Sequence, residues 1–217
     1  MATSATPQDM LVADNTGGEC DTGSALVPSV QHLIGLDAVK VHQKSSSFSG
    51  NKYTVLSGGD VLFSLKEDGH AFTFLSEAES RRFRMDGLDN MDRKVLVLHR
   101  PAVLLCSDSK LMLYMDGNLV SIIHEEITFM KAVFLIQDAN GSTVLRVKGG
   151  YSHYNFQLQT PCKREIGKIQ KQFGGFWRGV FTRLSDYVIS FPTDLDVRFK
   201  MAAVAACILI DYRYHGS

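Results

Sequence analysis

The chain has 217 residues, of which 45% are hydrophobic, and its 23 basic and 23 acidic side chains give a formal net charge of zero. This length and composition are typical of one soluble globular domain with a tail. The balanced charge argues against a nucleic-acid-binding surface and against a long acidic tail. The cysteines, at positions 20, 106, 162 and 207, are far apart, and residues 1–28 show no secretory signal, so we expect reduced thiols in the cytosol.

Residues 1–29 are rich in Ala, Ser, Thr, Gly and Asp without a hydrophobic period, which predicts a disordered tail before one domain over residues 30–217. In that domain, short apolar segments alternate with turns of Asp, Asn and Gly, the pattern of antiparallel hairpins. The predicted strand pairs are residues 52–56 with 61–65, 83–85 with 95–98, 110–115 with 119–123, 133–136 with 143–147, and 154–158 with 165–169. Nine to twelve short strands predict a barrel or a sandwich.

Residues 164–181 break the hairpin pattern by mixing basic and aromatic side chains. Lys168 and Lys171 precede Phe173 and Trp177, and these four residues are the candidate lipid contacts. Such a mixture is typical of a membrane interface or of a phosphate-contacting surface. It is equally typical of a loop whose aromatic side chains plug one end of a barrel, and the residues alone leave both interpretations open.

Residues 182–196 are rich in side-chain oxygens. Asp186, Asp194 and Asp196, supported by Ser185 and Ser190, are candidate ligands for calcium, which needs 6–8 oxygen ligands. The competing interpretation is that Asp194 or Asp196 caps the helix that follows and favours its dipole.

Residues 201–210 form the longest uninterrupted apolar segment, which is ten residues long. Alanine, methionine and leucine favour a helix, and a helix that is apolar all round must be enclosed by protein or by lipid. A membrane span needs roughly 20 apolar residues, so the length favours enclosure by protein. A barrel closed around this helix would have no exposed sheet edge. The expected central-helix residues are Met201, Val204, Ile208, Leu209 and Ile210.

The sequence carries no signature of an enzyme. Its seven histidines do not cluster, and it has no nucleophile elbow and no phosphate-binding glycine loop. His124, Glu125 and Glu126 are the one acid–base candidate, and their position after a predicted strand favours a solvated loop. We therefore expect no covalent catalysis.

Phe-Pro-Thr-Asp-Leu-Asp-Val at residues 191–197, followed by an Ala-rich segment that ends in Cys-Ile-Leu-Ile-Asp at 207–211, resembles the C-terminal signature of the phospholipid scramblase family. The likeness covers about 180 residues and includes Asn-Lys-Tyr at 51–53, Leu-Asp-Asn at 88–90 with Arg93, His-Arg-Pro at 99–101 and Ile-Gly-Lys-Ile at 166–169. It implies a mainly-β, tubby-like fold, a closed antiparallel barrel of about twelve strands around a central hydrophobic C-terminal helix. It also implies calcium-activated, ATP-independent movement of phospholipids between leaflets.

The sequence departs from the family pattern in ways that bear on function. Arg183 and Ser185 stand where the pattern has acidic residues of the calcium segment. Because a cation repels the metal, we expect calcium affinity to be reduced or lost. Cys106 is all that remains of a cysteine-rich palmitoylation segment, and one acyl chain gives only marginal membrane binding. The nuclear-import-like basic stretch keeps only Lys168 and Lys171.

The resemblance implies a phospholipid membrane as the partner, at the cytoplasmic face of the plasma membrane. Two mechanisms stay open: the C-terminal helix leaves the barrel and spans the bilayer as a homo-oligomer, or the barrel stays closed and disturbs the interface. An alternative function is a non-transporting tubby-like module that binds anionic phospholipids or protein partners, in the cytoplasm. A nuclear transcriptional role is the third, and the neutral charge disfavours nucleic acid.

Overall fold

In a computed structural model, the described residues are 28–44, 50–68, 82–101, 110–126, 128, 131–150, 152–172 and 186–215. They form a 3₁₀-helix, Pro28–Leu33, followed by twelve strands and one α-helix. The strands are β1 (Ala38–Lys44), β2 (Lys52–Ser57), β3 (Asp60–Glu67), β4 (Phe83–Leu88), β5 (Lys94–Arg100), β6 (Lys110–Met115), β7 (Asn118–Glu126), β8 (Val133–Asp138), β9 (Thr143–Gly149), β10 (Asn155–Gln159), β11 (Glu165–Gln172) and β12 (Asp186–Ser190). The helix is α1 (Val197–Tyr214).

The strands form a closed antiparallel barrel in which each strand pairs with its neighbours in the chain, and β1 pairs with β12. Short turns between consecutive strands explain why neighbours in the chain are neighbours in the barrel. In the β6–β7 hairpin, for example, Asp116 and Gly117 have φ angles of 50° and 76°, as a two-residue type I′ turn requires. The predicted mainly-β fold, a closed antiparallel barrel of about twelve strands around a C-terminal helix, is confirmed.

The two strands that close the barrel differ from the sequence-based expectation. Residues 186–190, predicted as part of an oxygen-rich ligand segment, form β12, and β1 was not among the predicted strands. Residues 165–169, predicted as the return strand that pairs with residues 154–158, do form part of β11, and this strand continues to Gln172, into the segment 164–181 that was also predicted to break the hairpin pattern. In β12 the inward Tyr187 and Ile189 alternate with outward polar or aliphatic residues, which is the pattern of a half-buried strand.

The helix α1 fills the barrel. No side chain from residue 200 to residue 212 is more than 4% exposed, and the predicted central-helix residues Met201, Val204, Ile208, Leu209 and Ile210 are all buried. Each buried Ile or Leu contributes about 1.5–3 kcal/mol to stability. The alanines at 202, 203, 205 and 206 keep the helix narrow enough for the barrel wall to pack on every side. Among the described residues, no helix has the length and hydropathy that crossing a membrane requires.

The barrel has two unlike ends. The turn end holds the hairpin turns, the 3₁₀-helix and Ser190, after which the chain enters α1. The C-terminal end holds Asp186, the first residue of β12, and Tyr214, the last residue of α1. Because the strands alternate in direction, the last residue of each odd-numbered strand from β1 to β11 lies at the C-terminal end. This polarity decides which predicted site residues can meet.

Candidate functional site

Lys200 fixes the start of α1 at the turn end. Its Nζ donates to the carbonyl oxygens of Leu33 at 3.0 Å, Leu36 at 2.8 Å and Thr193 at 2.8 Å. The same ammonium group lies 5.2 Å from the ring centroid of Phe191, and the side chain is 0% exposed. Burial lowers the pKa of Lys200, although the carboxylates of Asp194 and Asp37 act in the opposite direction. One buried cation thus joins the helix to the 3₁₀-helix and to the chain that leads into it.

We expect Lys200→Met to lower the free energy of unfolding by about 2 kcal/mol, because methionine fills the same space but removes the ammonium donor that three carbonyls share. The carbonyl of Leu33 keeps the Leu36 backbone N–H at 3.3 Å as a donor. Urea denaturation measures the change. Lys94→Met is the control, since Lys94 is exposed and its partner among the described residues is Asp86 at 2.6 Å. It should cost less than about 0.5 kcal/mol. Equal midpoints for the two variants would contradict the role given to Lys200.

Asp211 anchors α1 at the C-terminal end. Its carboxylate accepts hydrogen bonds from the phenols of Tyr53 at 2.9 Å and Tyr187 at 2.8 Å, and it is 0% exposed. Burial, and then the neighbouring carboxylate, raise the pKa of both tyrosines, so both phenols remain donors. Burial likewise raises the pKa of the Cys207 thiol, one turn earlier, and this keeps the sulfur protonated and unreactive.

Glu125 holds the last turn of α1. It accepts hydrogen bonds from Arg213 Nε at 3.1 Å and from the Tyr214 hydroxyl at 2.8 Å. The ring of His153 stacks on Tyr214 with centroids 4.1 Å apart. The prediction of a solvated loop at residues 124–126 is therefore wrong, because these residues end strand β7 and Glu125 reaches the helix. Glu125, which the sequence suggested as part of an acid–base group, therefore makes structural contacts with α1.

The candidate calcium ligands lie at both ends of the barrel. Asp186 and Ser190 begin and end β12, and four steps along a strand separate them by about 13 Å. Asp194 and Asp196 follow Ser190 at the turn end. No group of three His, Cys, Asp or Glu side chains able to hold a metal occurs among the described residues. Since Ser185 and Arg183 lie outside those residues, the calcium site stays a prediction.

Two of these carboxylates already have cationic partners. Asp186 contacts Lys40 Nζ at 2.7 Å and accepts a hydrogen bond from His42 Nδ1. Partial burial would raise the pKa of Asp186, but the hydrogen bonds from Lys40 and His42 outweigh it and hold the pKa below its usual range.

Asp196 is the N-cap of α1, as the competing interpretation of this segment predicts. Its Oδ1 accepts from the Arg198 backbone N–H at 2.8 Å, and its Oδ2 lies 2.6 Å from Arg198 Nη2. The hydrogen bonds from the Arg198 side chain lower the pKa of Asp196. A metal at Asp196 or Asp186 would therefore have to displace an existing ion pair.

The candidate lipid contacts do not share one surface within β11. Lys168 is exposed on the outer face, whereas Lys171, three residues later, lies on the inner face at the C-terminal end. Its Nζ lies 5.5 Å from the ring centroid of Tyr187, and burial lowers the pKa of Lys171. Phe173, Trp177 and the candidate acylation site Cys106 lie outside the described residues.

Sequence reasoning missed the polar anchors of the helix and a row of lysines. Lys200 and Asp211 directly flank the apolar segment, and their position within the same helix was the available signal. The last residue of β1, the first of β2 and the next-to-last of β3 are Lys44, Lys52 and Lys66, which stand side by side on the outer wall. No sequence pattern indicates that row, because it depends on strand register.

Sequence comparison relates this chain to proteins named phospholipid scramblases. The human protein named Phospholipid scramblase family member 5 is 28% identical over 215 residues, which cover 88% of this chain and 78% of that protein. Phospholipid scramblase 1 of Rattus norvegicus is 30% identical over 210 residues, which cover 86% of this chain but only 62% of the rat protein. This chain therefore matches less than two thirds of the length of that relative.

Comparison with a solved structure supports the barrel architecture independently of the sequence relatives. The X-ray structure of a protein from Arabidopsis thaliana superimposes with a TM-score of 0.51 at 13% identity and covers 88% of this chain and 99% of its own. At that identity the likeness concerns the fold alone. The model of the Scramblase family matches residues 28–217, which include the 3₁₀-helix, the barrel strands and α1. The chain belongs to the Scramblase family.

Proposed function

We propose that the protein acts at the cytoplasmic face of the plasma membrane and moves phospholipids between leaflets without ATP. The observation that carries this proposal is the match of the Scramblase family over residues 28–217, because it covers the barrel and its central helix together. Relatives named phospholipid scramblases support it along most of the chain. The protein's part in this activity is physical displacement of lipid, without covalent chemistry.

The anchors of α1 favour a mechanism in which the barrel stays closed. The helix has 18 residues and is therefore about 27 Å long, but Lys200 and Asp211 lie within it. Each charge costs about 2.5–3.5 kcal/mol at the centre of a bilayer on insertion scales. Leaving the barrel would also break the bonds of Lys200 to three carbonyls and of Asp211 to two phenols. We therefore propose that the closed barrel perturbs the lipid interface from outside.

The test is dithionite quenching of fluorescent phospholipid in vesicles that contain the purified protein, without nucleotide. Scrambling moves inner-leaflet lipid outward, so we expect quenching to pass beyond the outer-leaflet fraction that protein-free vesicles show. The measurement is made with calcium and with a chelator. Quenching that stops at the outer-leaflet fraction in both conditions would reject phospholipid movement.

A calcium response is a separate expectation of the family resemblance, and the ion pairs of Asp186 with Lys40 and of Asp196 with Arg198 argue against it. We expect isothermal titration of the native chain to give little or no calcium binding. Arg183→Asp should create binding if an ancestral site survives around Asp186, since it replaces a repelling cation by a ligand. Tight calcium binding by the native chain would contradict this expectation and support direct calcium gating.

A second function is a module that binds anionic phospholipids and does not transport them. The full enclosure of α1 favours it, because the helix offers no polar path for a lipid head group in the closed barrel. In the vesicle experiment this function predicts membrane binding with quenching limited to the outer leaflet.

A further inference from the structure

The outer wall of the barrel carries a row of three lysines on neighbouring strands. Lys44 of β1 is the direct register partner of Lys52 in β2, and Lys52 is the direct register partner of Lys66 in β3. Directly opposed side chains in an antiparallel pair have Cβ atoms about 4.5–5.5 Å apart. The inner-face neighbours of the row, Gln43 and Tyr53, are buried, so the lysines point outward. We call Lys44, Lys52 and Lys66 the lysine row.

No described carboxylate lies within ion-pair distance of the lysine row. Asp86, the register neighbour of Lys66 in β4, lies 2.6 Å from Lys94 Nζ and 3.6 Å from Arg84 Nε. On the other side, Asp186 is held by Lys40 and His42. The nearby acids are therefore engaged elsewhere.

Three like charges in direct cross-strand register destabilise a sheet. Their side chains are long enough to converge on one anion, and the next outward row toward the turn end, Thr54 and Ser64, supplies hydroxyl groups beside them. Lysine ammonium groups and hydroxyl groups are together the donors that suit a phosphate. The arrangement has the chemistry of an anion site that is built across three strands.

The distribution of charge along the barrel gives this site an orientation. The lysine row lies at the C-terminal end. At the turn end, four of the described hairpin turns carry exposed or half-buried aspartates, at positions 60, 92, 116 and 138. The basic residues of these turns are Arg93, which pairs with the buried Asp89, Lys94, which pairs with Asp86, and Lys163 and Arg164 of the β10–β11 turn. A negatively charged surface attracts the C-terminal end, which carries the lysine row, and repels the aspartates of the turn end.

We propose that the lysine row is the surface by which the barrel docks on a membrane that contains anionic phospholipid, through the lipid phosphates. This inference rests on the proposed function, because it names the part of the barrel that meets the lipid. It does not depend on the calcium segment. Docking by the row places the C-terminal end toward the bilayer and the aspartate turns away from it.

The test is co-sedimentation of the full chain with vesicles of phosphatidylcholine alone and of phosphatidylcholine with phosphatidylserine. We expect binding only to the anionic vesicles, and weaker binding as salt is added. The triple variant Lys44→Gln, Lys52→Gln, Lys66→Gln should bind on the order of 100-fold more weakly, since each basic residue at an anionic surface contributes about a fivefold effect. Its melting temperature should equal or exceed that of the native chain, because the repulsion within the row is removed.

The matched control is the triple variant Lys110→Gln, Lys131→Gln, Lys148→Gln, which removes the same charge at the same end of the barrel. Lys110 lies in β6, Lys131 lies just before β8, and Lys148 lies in β9. It should weaken binding by at most about tenfold, because these lysines are not register partners of one another and so do not form a shared phosphate site. Equal losses in the two triple variants would overturn the proposal in favour of diffuse attraction. Native binding to an RNA oligonucleotide but to no vesicle would overturn it in favour of a different polyanion.

Dithionite quenching on the same vesicles separates this proposal from the proposed function. If the native chain docks through the lysine row but quenching stops at the outer leaflet, the proposed phospholipid movement fails and the docking surface stands. If the native chain scrambles lipid, and the lysine-row variant binds anionic vesicles as tightly as the native chain does, the proposed docking surface fails and the proposed function stands.

Discussion

Asp211→Ala should lower the free energy of unfolding by about 4 kcal/mol, because it leaves the phenols of Tyr53 and Tyr187 without an acceptor inside the barrel and opens a small cavity. Each buried donor without a partner costs about 1–3 kcal/mol. Asp211→Asn keeps the volume and one carbonyl oxygen, so it should cost about half as much. Equilibrium urea denaturation, followed by tyrosine fluorescence and circular dichroism, measures both changes.

The control for Asp211 is Asp68→Ala, since Asp68 is exposed and Arg84, its ion-pair partner among the described residues, lies 3.8 Å away. It should change stability by less than about 0.5 kcal/mol. A double-mutant cycle tests the reason: in the Asp211→Ala background, Tyr187→Phe should be nearly neutral or stabilising, because it removes a donor that has lost its acceptor. Additive losses would show that the cost of Asp211→Ala does not arise from that phenol.

Gly167→Ala should destabilise the barrel by about 3 kcal/mol or more, because a Cβ at this position would lie 2.1 Å from the carbonyl oxygen of Ser190 and 3.1 Å from the Cα of Phe191. Those are backbone atoms of β12 and of the segment after it, so no side-chain rotation relieves the collision. The strands β11 and β12 would have to separate beside the β1–β12 closure. Thermal unfolding and hydrogen exchange in β12 measure the effect.

Gly150→Ala is the control for Gly167, because a Cβ at Gly150 would meet nothing within 4 Å. We expect it to be neutral, or stabilising by about 0.4–1 kcal/mol through the entropy of the unfolded chain. If Gly167→Ala were as stable as Gly150→Ala, the close approach of β11 to Ser190 would be excluded. The result also bears on the Ile-Gly-Lys-Ile motif at 166–169, whose glycine has a packing reason in this structure.

The two anchors make the central helix a poor candidate for reversible insertion. Lys200 joins its first turn to the carbonyls of Leu33, Leu36 and Thr193, and Asp211 joins its last turns to β2 and β12. Removal of either anchor therefore tests whether α1 leaves the barrel during lipid movement or the barrel stays closed. If the helix had to leave the barrel in order to move lipid, Lys200→Met would speed scrambling in stable vesicles, whereas a closed-barrel mechanism predicts no gain.

Local sequence predicted much of this fold for a physical reason. Hairpins are decided by residues that are close in the chain, as in the β6–β7 turn, where Asp116 and Gly117 adopt the positive φ angles of a type I′ turn. Ten of the strands could therefore be predicted in pairs. The strands β1 and β12 could not, because they pair with each other across the whole chain and no turn between them marks the partnership.

The candidate site was less accessible to sequence reasoning. Asp186, Asp194 and Asp196 are close in the chain, which favoured a shared ligand set, but the strand β12 carries Asp186 to one end of the barrel and the other two to the opposite end. Lys44, Lys52 and Lys66 are spread over 23 positions of the sequence, yet strand register makes them direct neighbours. Side-chain neighbourhood in a sheet follows register, which composition and spacing do not specify.

The sequence by itself determined the mainly-β class, the hairpins, the family and the enclosure of residues 201–210, because hydrophobic length, turn residues and ordered motifs are local properties. Only the tertiary structure decided how the barrel closes and which charges hold the helix inside it. Those features depend on contacts between segments that are distant in the chain, such as Lys200 with Leu33 and Asp211 with Tyr53. The enclosed helix is therefore a product of closure, whereas the lysine row on the outer wall is a product of strand register.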